Sequence, residues 1–283
     1  METSIKQIFR QVIQKIYKYP LSRMLYWYLR APFSNYAAFC FYQERTARDL
    51  RTNGEYRVLH GPYQGMLYTR HGSSVCLSCL LGTYEMEVWP VIESLKSANY
   101  DLVVDVGCAE GYHACGIAKI TNKKVMAFDM LESARHDCAE MASLNQLTDL
   151  VVIGSFLEHK VLQDLCESQK VFVLCDIDFA EKELLDLNLV PSLSKADLLV
   201  ETHGYKEGGP EDTLPLIMER FKETHDITLF PMLPRFPHRM WDFVEGGPDH
   251  RFVINNVVDE PLCHAFFEGR GLNNWLWLKA KSN

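Results

Sequence analysis

No uninterrupted apolar run among the 283 residues approaches the roughly 18 that a membrane-crossing helix needs. The amino terminus also lacks an apolar stretch followed by a small-residue cleavage site. A membrane-spanning or exported chain is therefore not expected. A basic excess is missing as well: the formal charge is −8 at pH 7, whereas a sequence-independent grip on phosphate needs positive charge. Nucleic acid is not an expected partner. Cys76 and Cys79 have metal-ligand spacing but no second pair of that kind to complete a zinc site. Internal repeats and low-complexity tracts are absent too. The nine cysteines are an odd number, and Cys108, Cys115, Cys138 and Cys175 fall in segments read below as strand, turn or helix. Reduced thiols in the cytoplasm are the expectation that fits.

What the chain does have is 47% hydrophobic residues, enough for one large domain or two small ones. Charge is uneven along it. The first thirty residues carry Lys6, Arg10, Lys15, Lys18, Arg23 and Arg30 against Glu2 alone, so the acidic excess belongs to the remainder. In the same segment Ile5, Ile8, Phe9, Val12, Ile13 and Ile16 recur at helical spacing, and Pro20 ends the pattern. Leu21, Met24, Leu25, Tyr28 and Leu29 form a second stripe that stops before Pro32. Both stripes are expected to pack on this protein or a second subunit, with peripheral contact to an acidic membrane surface as the alternative. Tyr56 to Arg70 then reads as a hairpin or bent ribbon around His60, Gly61 and Pro62. Residues 1–95 are accordingly expected to form a helical and hairpin accessory region, and residues 96–283 the main domain.

From about residue 96, apolar runs alternate with helical stretches: 102–106, 124–129, 150–154, 171–176 and 196–202. Near-continuous apolar strands separated by helices predict an α/β fold with a parallel sheet covered on both faces. Two later runs, DITLF and WLWLKA, are expected to close the sheet as an antiparallel edge pair. In such sheets a ligand sits beyond the carboxyl ends of the strands, where strand order reverses. The first strand runs into VVDVGCAEGYHACG, whose Gly107 and Gly111 let backbone approach a ligand closely. A dinucleotide fingerprint would need glycine where Ala109 and Tyr112 stand, which weakens a nicotinamide reading. Asp105 adds a carboxylate at the strand end, better suited to a cationic amine than to a pyrophosphate. An amino-acid-like ligand is implied.

VDVGCAEG resembles motif I of class I S-adenosylmethionine-dependent methyltransferases, with Ala109 replacing a glycine as in the FkbM-like branch. The resemblance spans roughly residues 60–283 and implies a Rossmann-like, seven-stranded, mostly parallel sheet. It further implies that Asp105, Gly107, Cys108, Ala109, Glu110 and Gly111 surround the methionine part of the cofactor. Asp129 would hold the ribose hydroxyls, Met130 would pack on the adenine, and Ser155 and Phe156 would meet the adenine edge. Tyr84 and Glu85, on a helix entering the domain, and Asp176 would complete the approach to the cofactor. Asp129 could instead cap the helix that follows it.

Chemistry is expected beyond the fourth and fifth strands, where Asp176, Asp178, Glu181, Glu201 and His203 would share one rim. The FkbM-like pattern has neighbours similar to these, with a glutamate where Asp178 stands. His203 is the expected general base, assisted by Glu201 or Asp178. Ordinary capping of strand ends is one alternative for this rim. A divalent cation held by Asp176, Asp178, Glu201 and His203 is another, less favoured one. The long segment 231–274, with Arg235, His238, Arg239, Trp241 and Arg251, could cover a substrate or simply pack. Asn-Pro-Pro-Tyr is missing after the fourth strand, so an amino-group target is not indicated. The expected activity is methyl transfer from S-adenosylmethionine to a small-molecule oxygen. A non-catalytic cofactor-binding or membrane-associated interaction protein and a nicotinamide oxidoreductase remain as alternatives.

Overall fold

The computed structural model describes residues 51, 54–69, 77–82, 84–204, 212–231 and 274–281. Both N-terminal helical stripes, Cys76 and nearly all of the 231–274 segment lie outside these residues. The described residues belong to one compact unit.

The first described elements are two short strands, β1 (Tyr56–Arg57) and β2 (Leu67–Tyr68), antiparallel with Tyr56 opposite Tyr68. This is the expected hairpin. Helix α1 (Leu77–Leu81), a 3-10 turn at Met86–Val88 and α2 (Trp89–Ser94) follow. Tyr84 and Glu85, expected on a helix, occupy the turn between α1 and the 3-10 segment. Glu85 has φ 47 and ψ 49, a left-handed conformation that stops helical propagation there.

Strands and helices then alternate: β3 (Leu102–Val106), α3 (Tyr112–Thr121), β4 (Val125–Phe128), α4 (Glu132–Leu144), β5 (Val151–Gly154), α5 (His159–Ser168) and β6 (Val171–Cys175). The chain continues through α6 (Glu181–Leu184), a 3-10 turn at Pro191–Lys195, β7 (Asp197–Thr202), α7 (Thr213–Phe221), β8 (His225–Phe230) and β9 (Asn274–Ala280). The sheet order is β5-β4-β3-β6-β7-β9-β8. Strands β3 to β7 are mutually parallel, while β9 runs antiparallel to both β7 and β8. The expected seven-stranded, mostly parallel α/β sheet is therefore present. Its antiparallel pair is arranged with the later strand inside and β8 at the edge.

Side-chain alternation along the strands divides the core into two apolar layers. Val103, Phe172, Leu174, Leu199 and Trp275 face one layer with Tyr63, Met66, Leu80, Ile92, Ile117 and Met141. Val104, Val106, Val173, Cys175, Leu198 and Val200 face the other with Leu162, Leu193, Ile217 and Phe221. The hairpin, α1 and α2 thus share the layer of α3 and α4. Asn145 at the end of α4 fastens the hairpin to it, its Oδ1 accepting from Leu67 N at 2.8 Å and its Nδ2 donating to Leu67 O at 2.7 Å.

Candidate functional site

The chain builds outward from β3 through β4 to β5, then crosses back to place β6 on the other side of β3. That reversal puts the crevice beyond the carboxyl ends of β3 and β6. Residues 107–111 fill its floor. Gly107 has φ 85, and a Cβ there would lie 1.6 Å from the carbonyl oxygen of Asp176. Gly111 has φ 88, and its added Cβ would meet Cys138 Sγ at 2.7 Å. Neither position accepts a side chain without displacement of its neighbour. Ala109 between them also takes a left-handed φ of 45 and is exposed.

Asp129, at the end of β4, ties this loop to the neighbouring strand. Its Oδ2 accepts from Ala109 N at 3.0 Å and its Oδ1 from Leu131 N at 2.8 Å. The second bond organises the entry to α4, so loop anchoring and helix capping coexist at this one carboxylate. Met130 and Phe156, at the ends of the adjacent strands β4 and β5, are 74% and 64% exposed. Leu131 is exposed beside Met130, and Ser155 is exposed beside Phe156. Met130, Leu131 and Phe156 form an exposed apolar rim there.

Asp105 lies beneath the loop, 1% exposed, and neither carboxylate oxygen has a hydrogen-bond partner. Burial pushes its pKa up to about 7, opposed by nearby His113 and reinforced by Cys138, Glu85 and Asp129. Above it runs a connected polar chain: Tyr63 Oη lies 2.9 Å from His113 Nδ1, and His113 Nε2 lies 2.7 Å from Glu85 Oε2. Burial opposes charging of the His113 ring, but Glu85, Asp105 and Glu110 outweigh it and raise its pKa. Tyr68 donates to Glu110 Oε1 at 2.8 Å. Tyr84 packs edge-on to Tyr112, and its phenol is pushed well up, first by the Glu85 charge and then by burial. Cys108 is buried, and its hydrogen bond with Cys138 together with burial raises its pKa. It stays a neutral thiol.

The second cluster follows β6 and β7. Asp176, Asp178, Glu181, Glu201 and His203 do converge. The imidazole of His203 is buried, with Nδ1 2.7 Å from Glu181 Oε1. Its Nε2 lies 3.3 Å from Glu201 Oε2, 3.5 Å from Asp176 Oδ1 and 3.6 Å from Asp178 Oδ1. Burial alone would depress the ring's pKa, but Glu181 and Glu201 overcome it and hold it at about 10. A ring so placed carries a proton at neutral pH, which does not suit the general base expected from sequence. Asp176 is raised by burial and then by Glu201 beside it. Asp178 and Phe179 adopt successive left-handed conformations, φ 47 and φ 79, of the kind that costs about 1–3 kcal/mol each and gathers at functional sites.

Asp105, Asp176 and Glu201 occupy the same sheet face as Phe172, Leu174 and Trp275, by the alternation along β3, β6 and β7. Asp105, which leads into the 107–111 loop, and the acidic rim therefore share one face of the sheet. Sequence reading did not assign roles to Glu181, His113, Tyr63 or Tyr68, which act through long-range contacts. His113, two residues beyond Gly111 at the start of α3, was the one local signal.

No protein-family model matches this chain, and no curated protein does. Among solved structures it is similar to a putative O-methyltransferase from Klebsiella pneumoniae, at 9% identity and a TM-score of 0.47, over 71% of this chain and 81% of that one. It is similar to an O-methyltransferase from Bacillus cereus in complex with SAH, at 12% identity and a TM-score of 0.44, over 68% and 79% of the two chains. A methyltransferase from Geobacter sulfurreducens in complex with S-adenosyl-L-homocysteine gives 14% identity and a TM-score of 0.44, over 70% and 91%.

Proposed function

We propose that this protein is an S-adenosylmethionine-dependent methyltransferase of the FkbM-like branch, acting on an oxygen of a small-molecule acceptor. The observation that carries the reading is Asp105: a fully buried carboxylate, without a hydrogen-bond partner on either oxygen, near the end of the strand that runs into the loop of residues 107–111. Such a group is costly to bury alone. A ligand ammonium entering over Gly107 and Gly111 would give it a counter-charge. The remaining parts suit the rest of an amino-acid nucleoside, with Asp129 at the ribose, Met130 and Phe156 against the adenine, and Ser155 at its edge. Tyr84, Cys108, Ala109, Glu110 and Asp176 line the amino-acid end.

Methyl transfer from a sulfonium is an in-line displacement: the acceptor oxygen bonds the methyl carbon as the carbon–sulfur bond breaks, and its electrons stay on the neutral thioether. The leaving group needs no proton. Orientation and exclusion of water can then supply most of the acceleration, on the order of 7–11 kcal/mol for well-aligned partners. The acceptor proton goes to a carboxylate of the rim, Glu201 or the exposed Asp178, while protonated His203 holds these acids in place. Removing such a proton acceptor typically lowers the rate about 10²–10⁴-fold.

Calorimetry with S-adenosylmethionine and S-adenosylhomocysteine is the direct test. Saturable binding of both is expected, and Asp105→Asn should abolish it while Asp129→Ala weakens it at least tenfold. Absence of binding to the folded wild-type protein would overturn the reading. Radiolabelled methyl transfer into a metabolite extract then separates an enzyme from a protein that only holds the nucleoside, and Glu201→Gln should slow that transfer about 10²-fold or more.

A further inference from the structure

We infer that His113 is a positioning residue for the ligand-binding carboxylate: held between Tyr63 and Glu85, its imidazolium is an intrinsic counter-charge that readies Asp105 for a ligand ammonium. The identity of that ligand rests on the methyltransferase reading above, whereas the relation between the charged groups does not. His113 stands in the first turn of α3, two residues beyond Gly111. Both ring nitrogens are engaged by distant parts of the chain: Nδ1 lies 2.9 Å from Tyr63 Oη, between β1 and β2, and Nε2 lies 2.7 Å from Glu85 Oε2. The Tyr63 ring is itself fixed, edge-on to Tyr112 at 5.1 Å and so close to Gly116 that a Cβ there would meet it at 2.5 Å. In an imidazolium both nitrogens donate, and here a carboxylate oxygen and a phenol oxygen stand in place to accept.

The first turn of a helix disfavours a cation, because its free amides already present partial positive charge. Glu85 overrides this: it is buried, and the left-handed backbone of its turn brings its carboxylate to the ring. An ion pair taken out of water is weak as a source of stability, so the charge itself needs a use. Asp105 supplies one. It is buried without a hydrogen-bond partner on the sheet face that packs with Tyr63. His113 favours its ionised form, while Cys138 on α4, Glu85 and Asp129 at the end of β4 oppose it. Burial raises the pKa of Tyr63 and of Cys175 on β6, and a hydrogen bond with Cys138 followed by burial raises those of Cys108 in the loop and Cys115 on α3. These four stay uncharged at neutral pH. Glu110, bonded by Tyr68, strengthens the hold of His113 on its proton.

The charges then match when the ligand is present. Asp105 and Glu85 are two anions and His113 is one cation, with the His113 and Glu85 side chains 13% and 4% exposed. A ligand ammonium beside Asp105 is the second cation. In the free protein one imidazolium serves two carboxylates; in the complex each carboxylate has its own cation, the condition under which charges persist away from water. A neutral residue in place of His113 leaves the repulsion by Glu85 uncompensated, so Asp105 keeps its proton to a higher pH.

The ligand-free, full-length protein gives the first test. The difference in melting temperature between the wild type and Asp105→Asn, followed by differential scanning calorimetry from pH 5 to pH 9, reports the pH at which Asp105 ionises. In the His113→Gln background that pH should rise by about one unit, and adding Glu85→Gln should bring it back, because the repulsion is then removed as well. Circular dichroism confirms that each variant is folded. An unchanged midpoint overturns the inference. Should His113→Gln fail to fold, nuclear magnetic resonance of the wild type, labelled in histidine nitrogen and aspartate carboxyl carbon, decides instead: the His113 ring is expected to hold both protons while Asp105 titrates, and a neutral ring at that point overturns the assignment. Titration with S-adenosylmethionine is the second arm. For His113→Gln the affinity should reach its plateau about one pH unit above the wild-type value, whereas an equal loss at every pH marks a merely structural residue and overturns the role. A wild-type protein that shows the ligand-free shift yet binds no S-adenosylmethionine sinks the methyltransferase reading and leaves the charge relation standing.

Discussion

Burial of Asp105 makes the stability of the protein depend on pH. Its pKa in the folded protein is raised to about 7, above its unfolded value, so its contribution to stability is fully present below the unfolded pKa and is lost as pH rises through 7. Above that point the free protein carries an unpartnered buried charge, at a cost of roughly 2–4 kcal/mol. Asp105→Asn should therefore raise the melting temperature at pH 8 by several degrees, leave it nearly unchanged at pH 4, and eliminate nucleoside binding. Differential scanning calorimetry at the two pH values checks the first half. For the wild-type protein, affinity for S-adenosylmethionine should fall as pH drops below 7 and Asp105 protonates, which titration at pH 8 and pH 6 would show. Gly107→Ala is expected to be the most damaging single methyl in the loop, since the added carbon would sit 1.6 Å from a backbone oxygen at a φ of 85. Asp105, Gly107 and Asp129 could be found in the sequence because each stands at a strand end, where local pattern predicts position. The pairing of Glu181 with His203, and of Glu85 and Tyr63 with His113, could not, because those contacts join residues 22, 28 and 50 positions apart.

The hairpin shows how a small element is held by a larger one. Two two-residue strands have too few bonds of their own to be stable in water. Asn145 supplies what is missing: besides its two bonds to Leu67, its Nδ2 donates to Met141 O at 3.0 Å, which fixes the amide on the last turn of α4. Asn145→Ala should destabilise the protein by about 1–3 kcal/mol, the usual cost of leaving part-buried backbone groups unsatisfied, and chemical denaturation would register it as a lower midpoint. Regular elements were the legible part of the chain. The five parallel strands begin and end within about a residue of the apolar runs, because burial on both faces leaves them continuous and unmistakable. The turn at Tyr84 and Glu85 was not legible. Its composition suits a helix, but Glu85 takes a left-handed conformation and its carboxylate meets His113 Nε2, 28 residues away on α3, at 2.7 Å.

For the molecule as a whole, the sheet divides its work by face. The layer beneath α5 and α7 is mainly apolar, with Ser192 bonded to Gln163 and His225 packed on Phe221 as its buried polar groups, whereas the opposite face carries Asp105, Asp176 and Glu201 at the carboxyl ends of its strands. Parity along each strand decides the division: Val104 and Val106 point to one layer and Asp105 between them to the other. A one-residue slip of β3 would exchange them. Strand order was only partly legible, since a long segment separates β8 from β9 and sequence pattern cannot say which of the two lies inside. The inner place belongs to β9. That order has a consequence for biogenesis. When β8 leaves the ribosome, the strand that will link it to the sheet has not been made, and its bonding edge has no neighbour until Asn274 to Ala280 arrive between it and β7. During that interval β8 is an open invitation to mispairing with other nascent chains, and a pause in translation within the intervening segment would lengthen it.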